Sequence, residues 1–181
     1  MRRLRRWSVA LATVRHARLS IAIGTVLVVL TCLLGAARPG LLGWVLHGFD
    51  LTSFRSPAYG RRLLAFLTHN AVADYACIWL GRARGVFPAI WLLLNGTALG
   101  IAFADAADRA PLGTLLAAIV PHGIFELPAN LVSGGLGLWI GAAVWLHLGP
   151  TAQRKRRRRS NLVFLCLVLP LWVVAAAMEA R

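Results

Sequence analysis

Residues 112–148 read LGTLLAAIVPHGIFELPANLVSGGLGLWIGAAVWLHL, and how this stretch meets a bilayer decides the fold. As one straight helix it would measure roughly 55 Å, against a hydrocarbon core of about 30 Å. Its middle carries Pro121, His122, Glu126, Pro128 and Asn130, groups that are costly in lipid. Each proline removes a backbone donor and disfavours helix at the residue before it. Irregular backbone survives at membrane depth only where protein or water satisfies it. The stretch is therefore expected to be broken or re-entrant, with Pro121, Gly123 and Pro128 at the break and its polar residues buried in a bundle.

The rest of the chain supports a membrane setting. Of 181 residues, 59% are hydrophobic and the mean hydropathy is +0.69, above the range of soluble domains. The net charge of +14 comes from 20 Lys and Arg against 6 Asp and Glu. These bases cluster at the edges of apolar runs, which suits lipid headgroups and the positive-inside rule and not a nucleic-acid footprint. Cys32, Cys77 and Cys166 lie in apolar stretches without CxxC spacing, so neither a disulfide framework nor a zinc site is indicated.

Four further runs have the length of a span: Leu19–Ala37, Leu63–Leu80, Val86–Ala104 and Leu162–Met178. Residues 1–18 form a basic lead to a retained anchor, since the first apolar run is too long for a signal sequence. If 112–148 makes one net crossing, there are five crossings, and one side holds 14 basic residues against 6 on the other. Two crossings would divide them 11 to 9. The charge bias favours five, with a cytoplasmic N-terminus and an external C-terminus in the inner (cytoplasmic) membrane. Trp44, Leu46, Phe49 and Leu51 suit a segment lying along the outer membrane surface. The expected architecture is a single all-α domain over residues 1–181, a polytopic transmembrane bundle.

Each central segment carries a polar patch. His122, Glu126 and Asn130 share one face of a helix, Asn70 and Asp74 share another, and Asn95 lies in the third span. Polar groups avoid lipid, so these patches are expected to face one another. Three uses stay open: interhelical hydrogen bonding, a solute or ion path, and catalysis. His122 and Glu126 are ordinary metal ligands, but two ligands do not close a site and no zinc motif is present. No cofactor is indicated.

Gly96, Gly100, Gly137 and Gly141 have the small-x-x-x-small spacing of close helix contacts, within one chain or in a homo-oligomer. The run RKRRRR (154–159) reads as a topology determinant or a surface for anionic lipid or an acidic partner. No phosphate loop, nucleophile elbow or CxxC occurs, and no complete catalytic set can be named, so an enzyme is not expected.

PHGIFELPA (121–129), SGGLGLWIG (133–141), LLLNGTALG (92–100) and THNAVAD (68–74) together resemble the stage II sporulation protein M family, over roughly residues 60–150. The resemblance implies a small polytopic membrane protein. It points to a scaffold or accessory factor for envelope or secretion-linked proteins, such as peptidoglycan hydrolases or bacteriocin-system proteins. The motif positions that it carries over are Asn70, Asn95, Gly96, Gly100, Pro121, His122, Gly123, Glu126, Pro128 and Gly137, without a mechanism. The alternatives are a small transporter using His122, Glu126, Asp74 and Asn95, and an intramembrane metal-dependent enzyme.

Overall fold

The computed structural model describes residues 2–38 and 58–180, with the side chains of 2–4, 112, 115, 116, 118, 119, 121 and 122 outside the description. The interfacial reading of Trp44, Leu46, Phe49 and Leu51 lies outside the described residues. The helices are α1 (Arg2–Ala37), α2 (Tyr59–Leu80), α3 (Val86–Ala107), α4 (Leu112–Trp145), α5 (Pro150–Val163) and α6 (Leu169–Glu179). A π turn over Phe164–Val168 joins α5 to α6, and no strand occurs among the described residues. Five helical segments are long and apolar enough to cross a membrane, with α5, the π turn and α6 forming the last. The all-α, multi-pass architecture is the expected one.

Connections of a few residues join α2 to α3, α3 to α4 and α4 to α5, and such short links force neighbours antiparallel. Contacts confirm the directions. Gly96 sits against Val28 and Thr31, and Gly100 against Cys32 and Ala36, so α1 and α3 run parallel. Gly134 meets Leu92 while Gly137 meets Pro88, so α3 and α4 run oppositely. Arg62 bonds to Ala180 and Asp74 to Trp172, which sets α2 antiparallel to α6.

One end of the bundle collects the start of α1, the α2–α3 turn and all of RKRRRR. Three arginine–tryptophan pairs mark its level: Arg82 on Trp79 at 3.4 Å, Arg84 on Trp145 at 5.1 Å and Arg156 on Trp139 at 4.6 Å. Indole rings and cations together suit the headgroup layer.

The expected break in 112–148 does not occur: α4 is one α-helix across both prolines. At 34 residues it is roughly 51 Å long; its spanning part is Gly123–Trp145, and the surplus continues the same helix ahead of Gly123 instead of folding back. Pro128 is exposed on the outer side of α4, where its ring disturbs no neighbour. The prolines thus cost α4 hydrogen bonds without ending it. Gly134 and Gly135 lie within the same unbroken helix and face Leu92 and Ile21 across tight helix contacts.

The last span does hold an irregularity. Pro170 lacks an N–H and its ring presses on the preceding turn. The π turn ahead of it widens the helix, with Leu169 N–H bonding back to the Phe164 carbonyl.

The inward stripe of α1 is Ala10, Thr13, Ala17, Gly24, Val28 and Gly35, all buried and mostly small. Its other faces carry Leu19, Ile23, Val26, Leu30 and Leu33, each at least half exposed, as lipid contact requires. Hydroxyls are satisfied locally: Thr13 donates to the Val9 carbonyl at 2.7 Å and Thr97 to the Leu93 carbonyl at 2.9 Å.

Candidate functional site

A carboxylate buried among neutral donors is the chemical centre of the bundle. Asp74, one turn and a half before the end of α2, is 0% exposed. Trp172 of α6, itself buried, donates its indole N–H to Asp74 Oδ2 at 2.7 Å. Asn130 of α4 approaches Asp74 Oδ1 through Nδ2 at 3.4 Å, a weaker contact. The Ser133 hydroxyl and the Trp91 indole N–H act on the same carboxylate. Both atoms are buried and lie short of full hydrogen-bond geometry with any acceptor. Four helices, α2, α3, α4 and α6, therefore supply one polar centre, and the groups that act on Asp74 are uncharged donors.

The helices place these groups for simple reasons. Asn130 and Ser133 are three apart on α4 and share the face turned to α2. One turn along the same face, Gly137 touches Cys77 and lets the α2 and α4 backbones approach. The antiparallel run of α6 brings Trp172 level with Asp74.

Toward the end opposite the basic one, a second acidic group follows. Glu126 of α4 is half-buried, meets Glu179 of α6 side chain to side chain, and feels the charge of Asp74. Arg62 of α2 grips the end of α6 there, donating from Nε and Nη2 to the Ala180 carbonyl at 3.0 and 2.6 Å. Tyr59 OH reaches the Ala177 carbonyl at 3.4 Å.

Of the residues singled out in the sequence, Asp74 and Asn130 meet, and Glu126 stands one turn beyond them. Asn70 is half-buried on α2, one turn from Asp74. Asn95 turns back on its own helix, donating Nδ2 to the Trp91 carbonyl at 2.8 Å, which satisfies its amide locally. The Trp91 indole takes the place on α3 that Asn95 was expected to hold. Pro121 and His122 lie on α4, with side chains outside the described set. Among the described residues, no group of three His, Cys, Asp or Glu is arranged to hold a metal ion.

Gly96 and Gly100 carry the α1–α3 contact, and Gly137 and Gly141 carry the contact of α4 with the α2–α3 turn. These small faces are thus occupied within one chain. Gly85, with φ +76°, closes that turn in the left-handed region.

Sequence reasoning missed Trp172, Ser133, Trp91 and Glu179. Trp172 offered a signal: tryptophan favours the membrane–water interface, so an indole N–H deep in an apolar span needs an internal acceptor.

No curated protein and no solved structure matches the chain. A family model described as Stage II sporulation protein M matches residues 21–181, beyond the 60–150 that the motifs alone suggested and including the first and last spans. With most of its length matched, the chain belongs to the stage II sporulation protein M family.

Proposed function

We propose that the chain is a scaffold or accessory factor that holds envelope or secretion-linked proteins at the cytoplasmic membrane and carries out no catalysis of its own. The basic end lies in the cytoplasm on this reading, as the positive-inside rule requires. The observation that supports it is the close helix packing. Gly96 and Gly100 let α3 approach the α1 backbone, and Gly137 and Gly141 let α4 approach α2 and the α2–α3 turn, a rigid arrangement suited to holding other proteins. The broad apolar flank of α1, with Leu19, Ile23, Val26, Leu30 and Leu33 exposed, provides lateral surface for lipid or for the spans of partner proteins. By the family resemblance, those partners are peptidoglycan hydrolases or bacteriocin-system proteins.

The test is recruitment. Crosslinking the full chain in its own membrane and purifying it should recover an envelope protein whose membrane retention falls when the chain is deleted. Recovery of no such protein would count against the scaffold. If proteoliposomes also showed solute uptake driven by a pH gradient, and Glu126→Gln abolished it, transport through the carboxyl groups would replace the scaffold reading.

A further inference from the structure

The scaffold reading gives no use to a carboxyl group buried in hydrocarbon among neutral donors. We propose that Asp74 is a proton-binding site entered from the end of the bundle opposite the basic one, with Glu179 and Glu126 as the steps that lead to it. The ligand is a single proton, and the reading extends beyond the scaffold without depending on it.

Three observations carry this. First, burial deepens inward along a line of carboxyls: Glu179 is exposed, Glu126 is half-buried and Asp74 is fully buried. Glu126 touches Glu179 on the outer side and feels Asp74 on the inner side. Two carboxyls in side-chain contact are best satisfied when they share a proton.

Second, the surroundings of Asp74 accommodate both of its protonation states. As a carboxylate it accepts from Trp172 and Asn130, and the Ser133 and Trp91 donors are at hand. As an acid it needs an acceptor, and the Ser133 hydroxyl, fully buried and without another partner, has free lone pairs. The proton moves as H⁺ from water to Glu179, through Glu126 to an Asp74 oxygen, and returns the same way. No other bond changes.

Third, the line stops at Asp74. Toward the basic end α2 and α4 meet through Cys77 and Gly137, flanked by buried Ile78, Leu136 and Ile140. The site therefore reads one side of the membrane and does not conduct. The titratable groups facing it are Cys77 from α2 and Glu126 from α4, with Glu179 of α6 behind Glu126, while α3 presents the neutral indole of Trp91. Protonation would weaken the Trp172 bond that holds α6 to the bundle, so occupancy is coupled to the seating of the last helix.

The experiment is infrared difference spectroscopy of the full chain in proteoliposomes, reading the carbonyl stretch of protonated carboxyls. A band that grows as the pH falls should vanish in Asp74→Asn and move in frequency in Asp74→Glu and Trp172→Phe. After a pH jump on the side of Glu179 it should appear at least tenfold more slowly in Glu126→Gln. If Asp74→Asn does not fold, the Asp74→Glu frequency shift makes the assignment. A carboxyl signal at Asp74 that is constant across the pH range of the folded protein would overturn the proposal. So would an equally fast response to a jump at the basic end, or an unchanged rate in Glu126→Gln.

Discussion

Trp172 donates its indole N–H to Asp74 across 98 residues of chain, at 2.7 Å and out of contact with solvent. This bond ties the last helix to the second at the depth where neither group could find water. In lipid, a lost partner is not replaced by solvent, so the pair is expected to matter more than its single hydrogen bond suggests in water.

Trp172→Phe keeps the ring and removes the donor, and is expected to lower stability by about 1.5–3 kcal/mol, the range for bonds to a charged group. Reversible unfolding in mixed micelles would measure it. Asp74→Asn retains an acceptor and should cost less than Asp74→Leu. In a double-mutant cycle, Trp172→Phe should cost little more once Asp74 is Leu.

The glycine contacts separate close packing from mere spacing. A Cβ at Gly100 would run into the Cys32 backbone, whereas one at Gly60 would meet nothing. Gly100→Ala is expected to destabilise by about 1–3 kcal/mol as α1 and α3 are pushed apart. Gly60→Ala, in the first turn of α2, should be neutral or slightly stabilising. Thermal unfolding of the two variants side by side checks the difference.

Arg62 closes the end of α6 by gripping the Ala180 carbonyl through two donors. Arg62→Ala should leave that carbonyl exposed to the membrane boundary and loosen the final turn, at a cost of about 1–2 kcal/mol. Hydrogen exchange should rise in residues 176–180 while α3 stays protected. Exchange rising equally throughout the bundle would instead mean that the contact holds the whole fold.

Topology can be tested by labelling. In a chain whose three cysteines are replaced by alanine, Cys introduced at Arg5 and at Arg84 should react from the same side of the membrane. Cys introduced at Arg109 should react only from the other. On the proposed orientation, Arg5 and Arg84 are the cytoplasmic positions. Reaction of Arg5 and Arg109 positions from one side would contradict five crossings.

Much of the architecture was legible in the order of residues. The runs of spanning length were legible, and the placement of arginine favoured five crossings over six, because bilayer thickness and the charge bias act on local sequence. Asp74, Asn130 and Glu126 could be singled out because polar groups are rare in apolar runs. The continuity of α4 was not legible. Pro121 and Pro128 weaken a helix locally, yet the helix runs on through both, its surplus length lying ahead of the Gly123–Trp145 span, and it is held by contacts along Gly134, Gly135 and Gly137. Nor could the sequence reveal that Asn95 bonds within its own helix while Trp91, four residues earlier, faces the carboxylate.

The sequence by itself determined that this chain suits a membrane, which of its runs have spanning length and which end carries the positive charge. Those properties depend on hydropathy and charge summed over short windows. Only the tertiary structure decided which polar groups share a centre. That centre joins residues from four helices, and it depends on helix rotation and depth, which a shift of one residue changes by about 100° and 1.5 Å.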